Sequence, residues 1–133
     1  TSRILSVALS TGSRLPAYCT SLGRVLLANM SEEMLDMYFS MVNLRAYTDL
    51  TVVSVNGIKE ILSVVRDVGY AMVEEELEIG LRSIAVPVYG ASGVLHAALN
   101  IGAQATRVSA RQLVDDFLPV LRNGAHELSV LLP

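Results

Sequence analysis

Apolar and polar residues alternate in four segments of the chain, a pattern that is typical of β-strands. In the opening segment RILSVALSTG, the apolar residues Leu5, Val7 and Leu9 share one phase before a Thr-Gly turn. The segment YAMVEEE predicts a short strand that runs into an acidic turn ending at Gly80. The segments LRSIAVPVYG and VLHAALNIG predict a hairpin, because the turn-forming sequence ASG lies between them.

Helical spacing of apolar residues and capping signals mark four further segments. The first helix is predicted from about Ser21 to Asn29, and Ser31 is the expected N-cap of the second. The acidic residues at positions 32 and 33 suit the first turn of that second helix, because its dipole is positive there. Spacings of three and four then predict one buried face, formed by Met34, Met37, Tyr38 and Met41.

The third and fourth helices are predicted from the same kinds of signal. Ser54 is the expected N-cap of the third helix, which Gly69 ends. The fourth begins at Ser109 with Gln112 three residues later, a capping-box pattern, and Pro119 is expected to bend it because proline lacks an N–H. The strands and helices together predict an α+β fold, with helices packed on an antiparallel sheet.

Composition favours one compact domain over the whole range 1–133. Hydrophobic residues make up 52% of the chain and charged residues 17%, which argues against disorder. The mean hydropathy of +0.48 is high. No apolar run, however, approaches the roughly 20 residues that a membrane span needs. We therefore expect no membrane association, and we expect the surplus of apolar residues to form a partner interface or to be covered by a further part of the protein.

Charge and cysteine content narrow the possible partners. The net charge is −3, Lys59 is the only lysine, and no basic cluster is present, so the chain is not expected to bind nucleic acid by itself. A single cysteine excludes an internal disulfide and suits a reducing cytoplasm. Because the chain has no signal peptide and does not begin with methionine, we expect it to be a fragment of a longer protein.

One phase of the predicted hairpin carries mainly small or polar side chains, at Ser83, Ala85, Pro87, His96, Ala98, Asn100 and Gly102. Such a face is either solvated, as in many antiparallel sheets, or lines a hollow that something fills. Four helices need surfaces to pack against, which favours the second interpretation. The alternation alone does not decide between the two.

The stretch LPAYCTSLGRVLLANM, residues 15–30, places small and polar residues where a helix begins. Thr20, Ser21 and Gly23 lie where backbone N–H groups and the positive end of the helix dipole can accept a carboxylate or a phosphate. The alternative is a cap that satisfies itself. Together with the small-residue sheet face, this helix start predicts a pocket in which Ser83 and Asn100 form hydrogen bonds.

Other chemistry finds weaker support in the sequence. His96 and His126 lie thirty residues apart without ligand spacing, so no metal site is predicted, and His126 is expected at the surface. The run EEELE lacks the Asp/Gly pattern of a calcium loop and predicts a solvated acidic turn. Cys19 with His96 would form a thiol nucleophile, but no third orienting group is apparent. Arg82 either reaches a ligand or pairs with the acidic turn, and both remain open.

Three stretches carry a family resemblance: LPAYCTSLGRVLLA, RDVGYAMVEEELEIGLRSIAVPVYGASGVLHAALNIG and LVDDFLPVLRNGAHELS. In this order they resemble the C-terminal effector-binding domain of IclR-type bacterial transcriptional regulators, over essentially the whole chain. With Asn100 in the segment AALN, the sequence is similar to one branch of this family, which controls aromatic-acid catabolism through protocatechuate or β-ketoadipate.

The resemblance implies a GAF-like (profilin-like) fold, a twisted antiparallel sheet flanked by helices, that binds a small carboxylate effector. Carried over by position, the implied ligand-binding residues are Leu15, Thr20, Ser21, Leu22, Gly23, Val73, Ser83, Asn100 and Gly102. At Leu22 and Val73 the family can have a polar or a smaller residue. The ligand of this chain is therefore expected to be less polar, or differently shaped, than the short oxoacids that some members bind.

The resemblance also implies a homodimer or homotetramer in the cytoplasm, without a cofactor, that binds DNA only through a winged helix-turn-helix absent from these 133 residues. The leading hypothesis is a non-catalytic ligand-sensing domain. One alternative is a small enzyme that acts on an organic acid through Cys19 or Ser83, although no general base is seen to converge on either residue. Another alternative is a pure oligomerisation domain.

Overall fold

The computed structural model describes residues 9–133, which form a three-stranded antiparallel sheet with helices on both faces. The strands are β1 (Ala71–Glu74), β2 (Leu81–Tyr89) and β3 (Leu95–Gln104), in the order β1-β2-β3. The helices are α1 (Ser21–Ala28), α2 (Glu32–Met41), α3 (Val55–Val68), α4 (Ala110–Gln112) and α5 (Leu118–Ser129). The predicted α+β class is confirmed. Most of the predicted opening strand, including Leu5 and Val7, lies outside the described residues.

Both faces of the sheet are covered. On one face Ile84 and Val86 pack with apolar residues of the C-terminal helical region, among them Leu118 and Leu121. On the other face Ala85 belongs to a core formed mainly by α1 and α3, with Ala98 partly buried against it. The small-residue phase of the hairpin is therefore a packing face at Ala85 and Ala98, where the solvated interpretation does not hold, whereas Asn100 of the same phase is exposed.

Side-chain caps begin the helices where the sequence predicts them. Ser31, Ser54 and Ser109 each accept a hydrogen bond from the backbone N–H three residues later. Gln112 returns a hydrogen bond to the N–H of Ser109, which completes the predicted capping box. Gly69 ends α3 with φ +78°, a left-handed conformation that glycine adopts without steric cost.

The predicted buried face of α2 is wrong. Met34, Met37 and Met41 are 50%, 59% and 80% exposed, whereas Leu35 is buried and Tyr38 only half-buried. Apolar residues on α2 recur at helical spacing on two adjacent sides, and this periodicity does not tell which side meets the core. The helix packs through its Leu35 side, so the methionines lie at the surface.

The break in the last helical segment precedes Pro119. A π-helical turn, Leu113–Phe117, separates α4 from α5, and the N–H of Leu118 bonds the carbonyl of Leu113, five residues earlier. Proline has no N–H to continue the helical ladder, and the predicted disturbance takes the form of this wider turn. Among residues 9–133, no helix combines the length and the apolar character that a bilayer crossing requires.

Candidate ligand-binding site

A cavity of about 240 Å³ lies between the start of α1, the turn after β1 and the adjoining part of the sheet. Eight of the nine predicted site residues line it: Leu15, Thr20, Ser21, Leu22, Val73, Ser83, Asn100 and Gly102. The strand register explains why the sheet residues meet. Val73 lies opposite Ser83, and Ser83 lies opposite Gly102, so the three form one row across the sheet.

The start of α1 is capped and also leaves donors free. The hydroxyl of Thr20 accepts a hydrogen bond of 3.2 Å from the N–H of Gly23 and donates one of 2.8 Å to the carbonyl of Pro16. The N–H groups of Ser21 and Leu22 form no hydrogen bond with any residue in the described range 9–133. Two orphan donors therefore remain at the positive end of the helix, where both residues line the cavity.

The hydroxyl of Ser21 has no hydrogen-bond partner among the residues that the structure describes. The residue is 1% exposed, and it lines the cavity. Leaving a buried hydroxyl unpaired costs about 1–3 kcal/mol. A polar ligand atom in the cavity would supply the missing partner.

Gly23, the ninth predicted residue, does not line the cavity. A Cβ at this position would lie 2.3 Å from the backbone of Ala17, so only glycine allows α1 to pack this closely on the preceding segment. Its N–H is already bonded to Thr20. Its contribution is the packing that sets the position of the helix start.

The cavity is mostly apolar, with a few polar groups at two sides. Ser83 and Asn100 provide polar atoms on the sheet side, opposite the helix start, and Asn100 lies at an exposed position. Most other lining residues are leucine or valine, and among the described lining residues none is Asp, Glu, His, Lys or Arg. A charged ligand group would thus meet hydroxyl, amide and backbone N–H donors rather than a cation.

Four lining residues were not predicted as ligand contacts: Leu9, Cys19, Leu77 and Leu81. Leu81 has the same strand phase as Ser83, so the alternation along β2 could have identified it. Leu77 lies in the turn after β1, where no periodicity applies. Its place at the cavity follows from the tertiary structure alone.

Cys19 is not an activated nucleophile. It is fully buried, and burial raises the pKa of its thiol to about 11, so the thiol is protonated at neutral pH. His96 lies elsewhere, near the hairpin tip, where a Cβ on Gly90 would come within 2.8 Å of its ring. Cys19 and His96 therefore do not form a thiol–imidazole pair.

Arg82 pairs with the acidic strand and does not line the cavity. Its Nε and one terminal nitrogen each lie 2.8 Å from a carboxylate oxygen of Glu74, and the other terminal nitrogen donates to the carbonyls of Ala105 and Val108. The neighbouring Glu76 is buried and paired with Arg24, so the acidic stretch is not simply a solvated turn. No group of three or more potential metal ligands occurs within residues 9–133.

Comparison with known proteins agrees with this architecture. The family described as "Bacterial transcriptional regulator IclR C-terminal" matches residues 1–130. The chain is 45% identical over 126 residues to the Pca regulon regulatory protein of Pseudomonas putida, covering 95% of this chain and 43% of that protein. It is 39% identical over 130 residues to the p-hydroxybenzoate hydroxylase transcriptional activator of Acinetobacter baylyi, covering 98% and 48%. The chain thus spans less than half the length of these two relatives.

A solved structure is similar in fold and in sequence. It is a double mutant of the PobR transcription factor inducer-binding domain from Acinetobacter, in complex with 3-hydroxybenzoic acid. The TM-score is 0.88 and the identity 40%, and the match covers 91% of this chain and 69% of that one.

Proposed function

Because the chain belongs to the family of the IclR C-terminal domain of bacterial transcriptional regulators, we propose that its cavity binds a small aromatic carboxylic acid as an effector. The carboxylate would accept hydrogen bonds from the N–H groups of Ser21 and Leu22. The apolar lining would enclose the ring, while Ser83 and Asn100 would bind a ring hydroxyl. The effector domain would extend over residues 1–133.

The unpaired hydroxyl of Ser21 is the observation that carries this proposal. A helix start alone is often only a cap, and Thr20 does cap this one. The Ser21 hydroxyl, however, is buried without a partner at the same point of the cavity as two unbonded N–H groups. Three polar groups that lack partners thus belong to two adjacent residues that line the cavity at a helix start, which is a favourable place for an anion.

The size of the cavity agrees with a small ligand. Sites for drug-sized molecules usually measure about 300–1,000 Å³. The cavity here is somewhat smaller, about 240 Å³. A single substituted benzene ring with one carboxylate is a ligand of this class, and it matches the mixture of apolar walls and few polar groups.

We also propose that this domain senses the effector for a longer regulator of aromatic catabolism in the cytoplasm, and that it assembles as a homodimer or homotetramer. DNA would be bound through a separate domain, because the chain has a net charge of −3 and no basic cluster. The exposed methionines of α2 offer an apolar surface for self-association.

The enzyme alternative is less favoured. Ser83 and Cys19 line the cavity, but no group that can act as a general base lies among the described lining residues. The thiol of Cys19 is protonated at neutral pH because of its raised pKa. We expect no chemical change of the acid when it is incubated with the chain, and chromatography of the recovered acid measures this.

Calorimetric titration with hydroxybenzoates tests the proposal. We expect saturable binding of 3-hydroxybenzoate at one site and a rise in the thermal unfolding midpoint of the chain. The neutral amide of the same acid is the matched control, since it keeps the ring and the hydroxyl but removes the negative charge. Equal affinities for acid and amide would refute the role of the helix start. Absence of binding by benzoate, hydroxybenzoates and protocatechuate would favour the pure oligomerisation domain.

A further inference from the structure

A buried ion pair lies close to Cys19, one of the residues that line the cavity. The guanidinium of Arg24, on α1, forms two hydrogen bonds of 2.8 and 2.6 Å with the carboxylate of Glu76, in the turn after β1. Arg24 is 2% exposed and Glu76 8%. Neither residue lines the cavity, so neither would touch a ligand bound there.

The pair joins two walls of the cavity through the backbone. The Nε of Arg24 donates a hydrogen bond of 2.8 Å to the carbonyl of Tyr18, which directly precedes cavity-lining residues of the α1 start. On the other side, Glu76 directly precedes Leu77, which also lines the cavity. The spacing of the two walls therefore depends on a contact between residues that are 52 positions apart in sequence.

A second segment holds Glu76 in place. The N–H of Val52 donates to the Glu76 carboxylate at 3.0 Å, and the hydroxyl of Thr51 donates to the Glu76 carbonyl. The hydroxyl of Thr48 donates to the carbonyl of Glu75 at 2.6 Å. Glu76 cannot turn away without leaving the buried cation of Arg24 unpaired, which is strongly unfavourable.

We propose that the Arg24–Glu76 pair is a positioning element of the ligand site. It fixes the distance between the α1 start and the Leu77 wall, and it thereby holds the N–H groups of Ser21 and Leu22 in line with a bound carboxylate. The inference rests on the proposed function of the cavity. Because the two charges neutralise each other, the contribution of the pair is geometric and not a field that attracts the anion.

Cys19 allows the position of the wall to be followed without any ligand. It is the only cysteine of the chain, it is fully buried, and it lines the cavity, so a thiol reagent reaches it only when the wall opens. We expect Glu76→Gln to raise the labelling rate of Cys19 roughly tenfold in the absence of urea. The rate should depend only weakly on urea, because a local opening exposes little surface.

Glu74→Gln is the matched control. Glu74 also pairs with an arginine, Arg82, and neither residue lines the cavity. The same substitution two positions earlier in the chain should leave the labelling rate of Cys19 within about twofold of the parent rate. Where Glu76→Gln does not fold, Thr51→Val replaces it, because it keeps both charges of the pair and removes the hydrogen bond from the Thr51 hydroxyl to the Glu76 carbonyl. The two bonds that this hydroxyl accepts from the N–H groups of Tyr47 and Thr48 are lost with it.

The affinity for 3-hydroxybenzoate provides a second measurement, in which the direction of the change is decisive. We expect both Glu76→Gln and Thr51→Val to weaken the binding of 3-hydroxybenzoate, by roughly tenfold in the case of Glu76→Gln. The control Glu74→Gln should leave the affinity unchanged. A purely electrostatic role predicts the opposite for Glu76→Gln, because the loss of a negative charge near an anion site tightens binding.

The two measurements separate this inference from the function on which it rests. The positioning role would be overturned if the Glu76 and Thr51 variants labelled Cys19 and bound the acid as the parent does. It would also be overturned if their faster labelling had the steep urea dependence of global unfolding. If the variants label faster but the parent chain binds no hydroxybenzoate, the proposed ligand is wrong, and what stands is the role of the pair in holding the cavity closed around Cys19. If all variants bind as the parent does and label at its rate, the function stands without this role.

Discussion

The hydroxyl of Thr20 accepts a hydrogen bond of 3.2 Å from the N–H of Gly23 and thereby caps the start of α1. It satisfies the third N–H of the helix and leaves those of Ser21 and Leu22 without a partner among residues 9–133. The helix start is thus a cap and, in our proposal, an anion site at the same time.

Ser21→Ala should change stability and affinity in opposite directions. Removing a buried, unpaired hydroxyl should raise the free energy of unfolding by about 1 kcal/mol. Affinity for 3-hydroxybenzoate should fall about fivefold or more, because the ligand loses a hydrogen bond. Urea unfolding and calorimetry measure the two quantities. A variant that is less stable and binds as tightly as the parent would show that the hydroxyl serves the fold alone.

Asn100→Leu should weaken binding by about 1–3 kcal/mol, the cost of leaving a polar ligand group unpaired in the cavity. Asn100 lies at an exposed position of β3, so the free energy of unfolding should change little. Ala97→Leu is the control, since Ala97 is also exposed on β3 but belongs to the other strand phase. Unchanged affinity of the Asn100 variant by calorimetry would remove this residue from the site.

Gly102→Val should obstruct the cavity and preserve the fold. A Cβ at Gly102 would lie 3.7 Å from the Leu81 side chain, an ordinary contact, and valine suits a strand. The two further methyl groups should crowd the cavity and reduce affinity by roughly tenfold or more. Ala97→Val tests whether an added branched side chain on β3 matters by itself. Tight binding by the Gly102 variant would mean that the ligand lies elsewhere.

Stability should fall as the pH rises from about 9 to 11, partly because of Cys19. Burial raises the pKa of its thiol from 9.0 to about 11, so in this window the unfolded chain loses the proton that the folded chain keeps. The unfolded state then binds fewer protons, and the free energy of unfolding declines by up to about 2–3 kcal/mol.

Comparison of the parent with Cys19→Ala isolates this effect in urea unfolding between pH 8 and 11. The pKa values of Tyr18 and Tyr38 are also raised by burial, but both tyrosines are present in both proteins. The stability of the variant should therefore fall less steeply with pH. Parallel pH dependences would contradict the assignment to Cys19.

Self-association should be measurable by sedimentation velocity at concentrations on the order of tens of micromolar. Met34, Met37 and Met41 expose apolar side chains along one side of α2. Met37→Lys should shift the distribution toward the monomer, because a charge placed in an apolar interface is costly to desolvate. A parent chain that sediments only as a monomer would refute the proposal.

Local chemistry made much of the fold and of the site predictable. The caps at Ser31, Ser54 and Ser109 rest on bonds to groups three residues away, so neighbouring residues suffice to define them. The phase of β2 and β3 follows from a period of two, which is why the alternation alone predicts that Ser83 and Gly102 share one face, as the strand register confirms.

The tertiary structure decided everything that depends on distant partners. The two apolar sides of α2 look alike in the sequence, and only packing determines that Leu35 is buried and Met37 exposed. The sequence does not determine whether Arg82 contacts a ligand or the acidic stretch. The pairing of β1 with β2 decides this, because it places Glu74 beside Arg82. The pairing of Arg24 with Glu76 has no local signal, because the choice of a buried partner depends on which surfaces exclude water once the chain has folded.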